Sequence, residues 1–120
     1  MNRVRVLVAN RPRLMRELVL ATITDQLDVE IVGETDETLD ITRAVEEMHP
    51  DVVIVALEVQ TGSFCTLLLQ HYPELKIIAI APERNRAVLY WASPDLQSVP
   101  VECSEEGILS AVRCRTLNRN

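Results

Sequence analysis

The side chains most often used in metal binding and redox chemistry are few and scattered in this 120-residue chain. Its two histidines, His49 and His71, have no second ligand at the spacing that a zinc site uses, and each stands close to a proline. Cys65, Cys103 and Cys114 form no CxxC pair, and their odd number argues against a disulfide framework. We interpret the histidines as surface or helix-capping residues and the cysteines as free thiols of a reducing compartment, with Cys65 in the core.

Motifs for phosphate binding and nucleophilic catalysis are also missing. The segment "ANRPR", which follows the first predicted strand, contains no glycine and therefore cannot form a glycine-rich phosphate loop. Ser63, Thr66 and Ser104 have no histidine and acid placed by the sequence to activate them. The sequence therefore predicts no enzymatic activity, no metal and no cofactor.

Composition and charge narrow the class of protein further. An apolar share of 48% and a charged share of 25% are typical of a globular domain, whose core must be aliphatic because aromatic residues make up 3%. The net charge of −6 argues against direct binding of nucleic acid by this domain. The N-terminal apolar run is too short for a signal peptide or a membrane span, so we expect a cytoplasmic protein.

Two hydrophobic periodicities alternate along the chain, as they do in proteins built from βα units. Strands are predicted at Val4–Ala9, Val29–Glu34, Asp51–Leu57, Lys76–Ala81 and Leu96–Val99. Helices are predicted at Pro12–Leu27, around Ile41–Met48 with Asp36 or Thr38 as cap, at Gly62–His71 and at Arg84–Ala92. A last helix is predicted to start from an N-cap at Ser104, with Ile108, Ala111 and Val112 facing the core. The continuously apolar third strand is typical of a central parallel strand, and Pro100 places the fifth strand at an edge.

This pattern predicts an α/β fold with a (βα)5 doubly wound parallel five-stranded sheet in the order 2-1-3-4-5, which is flavodoxin-like. One domain over residues 1–117 is expected, followed by a polar tail at 118–120 or the start of a linker. A site in such a sheet lies beyond the carboxyl ends of the strands. The candidate positions are Asn10, Arg11, Ala56, Ala81 and the segment Val99–Val101.

Several segments of the sequence resemble the receiver domains of response regulators, which are CheY-like. The similar segments are "VRVLVANRPRLMRELV", "VEIVGETDETLDITRAVEEMHPDVVIVAL", "HYPELKIIAIA" and "SEEGILSAVR", and together they cover nearly the whole chain. In character, these segments most resemble receiver domains that are attached to helix-turn-helix transcription regulators. The resemblance implies a two-component or gene-regulatory context.

The residues that such receivers use for phosphorylation are absent at the matching positions. Asn10 and Arg11 stand where the family has its acidic pair, Ala56 where it has the phosphoacceptor aspartate, Ala81 where it has a threonine or serine, and Val101 (Val99 if the register slips) where it has a lysine. A shifted alignment cannot restore the lysine, because Lys76 is the only one in the chain. Without the acidic pair, Mg²⁺ has no ligands with which to neutralise the phosphoryl oxygens.

The resemblance with these losses implies a pseudo-receiver that regulates through protein contacts, as a homodimer or with an output domain. Tyr90 and Trp91, on the predicted fourth helix, are candidate interface residues, although one of them could instead belong to the core. A different reading is a small-ligand or anion sensor that uses the vacated crevice, with Arg11 and Asn10 as the binding groups.

Overall fold

The computed structural model describes residues 3–9, 26–34, 38–57, 61–81, 84–92, 95–102 and 104–113. Most of the first predicted helix and the tail at 118–120 lie outside these residues. The strands are β1 (Val4–Ala9), β2 (Val29–Glu34), β3 (Val52–Ala56), β4 (Lys76–Ala81), β5 (Arg86–Ala92) and β6 (Leu96–Val101). The helices are α1 (Thr38–Met48), α2 (Thr61–His71) and α3 (Glu105–Arg113).

The strands form one six-stranded sheet in the order β2-β1-β3-β4-β5-β6. The first four strands pair in parallel, in the predicted order and within one residue of the predicted bounds. The first four residues of β3 are buried, and Val52, Val53 and Ile54 have no exposed surface. A continuous apolar run is therefore a central parallel strand here, as the sequence predicted.

The helix predicted at Arg84–Ala92 is wrong, because this segment is strand β5 and runs antiparallel to β4. Side chains along it alternate between the two faces of the sheet, with Leu89 in one core cluster and Tyr90 packed against the other. Asn85 adopts a left-handed conformation (φ 53°) that reverses the chain immediately before the strand. A hairpin therefore replaces the last predicted βα crossover, and the sheet departs from a five-stranded parallel order after β4.

Strand β6 lies at the edge of the sheet, as Pro100 predicted, although it continues through the proline to Val101. Proline has no N–H group to donate, and an edge strand has a neighbour to satisfy on one side only. Because β6 is antiparallel to β5, it runs in the same direction as β4. Its carboxyl end therefore reaches the same edge as the carboxyl ends of the parallel strands.

Helices pack on both faces of the sheet, as predicted, although the sheet is mixed and not parallel throughout. Side chains of α1 and α2 cover one face, and Ile108, Ala111 and Val112 of α3 are buried against the other. Cys65 is 0% exposed in the core, and burial raises the pKa of its thiol to about 12. The thiol is therefore protonated and a poor nucleophile at neutral pH. Within the described residues, no helix is long and apolar enough to cross a membrane.

The start of α3 is capped as predicted, because the Ser104 hydroxyl accepts a hydrogen bond of 3.1 Å from the Gly107 N–H. Gly107 also allows the helix to approach the preceding chain closely. A Cβ atom at this position would overlap the backbone carbonyl of Glu102. The absence of a side chain at Gly107 thus determines how α3 joins the end of β6.

Candidate functional site

We call the side of the sheet where the parallel strands end the carboxyl edge, and the side where they begin the amino edge. Ala56 ends β3, Ala81 ends β4 and Val101 ends β6. Ala56 pairs with Ile80, Ile80 with Ala87, and Ala87 with Val101, so these residues form one row across the sheet. Ala81 follows Ile80 and lies one residue beyond this row. The structure therefore places three of the predicted positions at the carboxyl edge, with Ala56 and Ala81 on neighbouring strands and Val101 on the edge strand β6; Asn10 and Arg11 lie outside the described residues.

The side chains at these three positions are apolar and small. Ala81 is 1% exposed, and Ala56 and Val101 are half-buried. Methyl and isopropyl groups can neither accept a phosphoryl group nor ligate a cation. The ends of β3, β4 and β6 therefore carry only hydrocarbon side chains at the carboxyl edge.

Carboxylates do occur along the carboxyl edge, but at its periphery. Glu34 ends β2, which lies two strands from β3, and Glu102 follows β6, which lies three strands from it. At about 4.8 Å per strand, they are about 10 and 14 Å from Ala56 across the sheet. Within the described residues, no three histidine, cysteine or acidic side chains are grouped to hold a metal ion. The described positions next to Ala56 therefore do not fit the Mg²⁺ ion that phosphorylated receivers require.

A cationic residue that sequence reasoning missed lies on the carboxyl edge. Arg86 pairs with Ala81 in the β4–β5 ladder, and its side chain is exposed, as is that of Arg84. The pKa of Tyr90, on the same face of β5, is raised by burial and by Cys65, against an opposing effect of Arg86. The missed signal was the short apolar run after Arg86 in "RAVLYWA", whose Val88, Tyr90 and Trp91 favour a strand.

The only lysine of the chain lies at the amino edge, where it has a structural role. Lys76 begins β4, and its Nζ donates to the backbone carbonyls of Ala111 and Val112 at 3.3 and 3.2 Å. These carbonyls belong to the last turn of α3, where an α-helix has acceptors without an intrahelical donor and a negative dipole end. Lys76 is therefore separated from Ala56 and Ala81 by the length of the strands.

Both histidines line one open cavity of about 390 Å³ at the amino edge, between the ends of α1 and α2. His49 has a left-handed backbone (φ 50°) just after α1, and His71 forms a 3.1 Å hydrogen bond between its Nδ1 atom and the Leu67 carbonyl. Both are exposed and lie at helix ends, as predicted. Asp51 also lines the cavity and is exposed, and its Oδ2 atom accepts a 3.0 Å bond from the Arg5 backbone N–H.

Tyr90 and Trp91 lie on opposite faces of β5, not on the helix that was predicted. Each is half-buried, and each packs against a different core cluster. The Trp91 Nε1 atom is buried and, within the described residues, has no hydrogen-bond partner. Their participation in an interface stays a prediction.

Comparisons with known proteins support the fold. No protein-family model matches the sequence, and no curated protein matches it. Among solved structures, the chain is similar to the RcsB response regulator of Salmonella typhimurium, in a structure that concerns conformational dynamism for DNA interaction, with a TM-score of 0.57 and 17% identity. The similarity covers 64% of this chain and 42% of that one, so this chain corresponds to less than half of that protein. At this identity the likeness shows the fold: a mixed α/β domain similar to a response regulator.

Proposed function

We propose that this chain is a receiver-like signalling domain that acts through protein contacts and without phosphoryl transfer. The observation that supports the proposal most is that β3 and β4 both end in a methyl side chain at the carboxyl edge. A receiver-like fold supplies the scaffold, while Ala56 and Ala81 replace groups that would react with or bind phosphate. Such a domain is not an enzyme.

A Mg²⁺ titration followed by amide NMR tests this proposal. Because Ala56 and Ala81 carry only methyl groups and the described residue paired with Ala81 is the cation Arg86, we expect no saturable shifts at these two amides at millimolar Mg²⁺. Weak shifts at the exposed acidic residues, which fade as salt is added, are the expected background. Saturable shifts that cluster on Ala56 and Ala81 would contradict the proposal.

The partner that we propose is a protein, either a second copy of the chain or an output domain. A receiver-like domain without chemistry transmits a signal only by changing which surfaces it presents. Sedimentation of the isolated chain at several concentrations separates the two possibilities. A concentration-dependent dimer favours the second copy, and a monomer at all concentrations favours a different protein.

A second candidate function is anion sensing at the carboxyl edge. The observation that favours it is Arg86, an exposed cation in register with Ala81, with Arg84 close by in sequence. Thermal shift with phosphate, sulfate and small carboxylates tests it. Stabilisation that R86Q removes and R43Q keeps would support this function, since Arg43 is an exposed arginine on α1. No stabilisation by any anion would exclude it.

A further inference from the structure

The two edge strands of the sheet differ in how well they are protected against pairing with another chain. Strand β2 carries the exposed Glu30 and Glu34. Its pairing with β1 also shifts, since Val6 pairs with Ile31 and the next residue, Leu7, with Gly33. Charged side chains and bulges are the usual means by which proteins prevent edge-to-edge association.

Strand β6 has little of this protection. Its sequence, "LQSVPV", contains no charged residue, and its pairing with β5 continues without a shift over all six residues. Four consecutive side chains are exposed, among them Val99 at 37%. In the part of the chain that the structure describes, β6 has a neighbouring strand on one side only. Pro100 is its single interruption, and this leaves most of the edge able to accept a strand.

Charge at the two ends of β6 indicates what kind of strand fits. Asp95 precedes the strand and Glu102 follows it, and both are exposed. A second copy docked antiparallel would bring Asp95 close to Glu102 of the other chain, and each chain has a net charge of −6. A segment with basic residues at both ends would instead place opposite charges together.

We propose that β6 is a docking edge for an extended segment of a partner protein, uncharged in its centre and basic at its ends. The segment adds a seventh strand by main-chain hydrogen bonds, while Asp95 and Glu102 select its charge. This inference rests on the proposed function to the extent that both require a protein partner. It specifies a surface and a chemistry that the receiver-like fold alone does not.

The only tryptophan of the chain reports on this edge. Trp91 pairs directly with Gln97 of β6, and both side chains stand on the face of the sheet that α3 covers. A strand that binds beside β6 changes the solvent exposure around Gln97. It thereby changes the environment of the Trp91 indole ring. Binding is therefore readable from intrinsic fluorescence without a label.

The experiment uses a blocked octapeptide with lysine at each end and alternating valine and threonine between, a length that matches Asp95–Glu102. We expect saturable binding to the intact chain below about 1 mM, weakened by added salt. Hydrogen exchange of the β6 amides should slow at the same peptide concentrations. The same peptide with glutamate ends should bind at least about threefold more weakly.

Two variants locate the site. Q97K places a cation on the edge and should weaken the lysine peptide about threefold or more, whereas Q70K adds the same charge on the exposed surface of α2 and should not. The double variant D95N/E102Q should remove the difference between the two peptides. Equal effects of Q97K and Q70K, no binding of either peptide, or self-association through β6 would overturn the inference. The Mg²⁺ titration tests the proposed function separately, because it does not involve β6.

Discussion

The amino and carboxyl edges of the sheet use their side chains in opposite ways. At the amino edge, charged groups are bonded to the backbone or to each other: Asp51 accepts from the Arg5 N–H, the Arg5 guanidinium donates to the Met48 carbonyl, and Lys76 donates to the end of α3. The Arg113 guanidinium also forms two bonds to the Asp28 carboxylate, at 2.9 and 3.1 Å. These contacts join elements that are far apart in the sequence.

At the carboxyl edge, where open α/β sheets place their sites, the matching positions are small and apolar. Ala56 and Ala81 leave no reactive side chain at the last residues of the two central strands, β3 and β4. The difference shows that the presence of charged residues does not by itself indicate chemistry. In this chain, the charged groups that stabilise the fold lie where the parallel strands begin. A reaction would occur where those strands end.

The largest expected effect tests whether the carboxyl edge is tightly built. G107A introduces a Cβ atom that overlaps the Glu102 carbonyl, so we expect a loss of about 3 kcal/mol in the free energy of unfolding. G62A is the matched control, because a Cβ atom at Gly62 has no neighbour within 4 Å. Chemical denaturation measures both. Equal stability of the two variants would show that α3 is not held closely at Glu102.

A pH experiment tests whether the one described cysteine is as unreactive as its burial implies. The folded pKa of Cys65, about 12, lies above the ordinary value of 9.0, so the folded state holds the proton more tightly. The resulting stability is fully present below pH 9 and is lost as the pH rises toward 12. We expect unfolding free energy to fall by about 2 kcal/mol between pH 9 and 10.5.

The control for this pH dependence is C65A, which lacks the thiol. It should be less stable than the native chain at neutral pH, because a small cavity replaces the sulfur, but its stability should fall less steeply above pH 9. Parallel slopes for the two proteins, from denaturation at each pH, would show that the Cys65 thiol is not the group responsible.

Lys76 provides a test of whether a charged side chain at the amino edge stabilises the fold. K76M removes two hydrogen bonds to the last turn of α3 while keeping most of the side-chain volume, so we expect a loss of about 1–2 kcal/mol. R84M removes an exposed cation at the other edge and should change stability by less than about 0.5 kcal/mol. Equal losses, measured by denaturation, would remove the distinction between the edges.

The smallest expected effect concerns the carboxyl edge itself. A56D restores a carboxylate at the end of β3, but no Mg²⁺ ligands accompany it among the described neighbours. We therefore expect no gain of phosphoryl groups from a small-molecule phosphodonor, and a stability loss of about 1 kcal/mol because the position is half-buried. Intact mass and denaturation measure the two quantities. Phosphorylation of A56D would show that one substitution alone had silenced the site.

Local signals predicted the elements that depend on local pattern. The β-branched runs defined β1, β2 and β4 at their observed bounds, and Ser104 located the start of α3. The prediction for Arg86–Ala92 failed because this segment becomes a strand by pairing with the free side of β4. That partner exists only in the folded sheet. The same dependence hid Arg86, since its position on the carboxyl edge follows from that pairing.

We propose that the receiver-like scaffold works here without phosphoryl transfer. The most direct test of this proposal is to incubate the native chain with acetyl phosphate and Mg²⁺ and to measure its intact mass under conditions that preserve acyl phosphates. We expect no change in mass, while a receiver with an aspartate at the matching position gains one phosphoryl group in a parallel sample. Addition of a phosphoryl group to this chain would contradict the proposal.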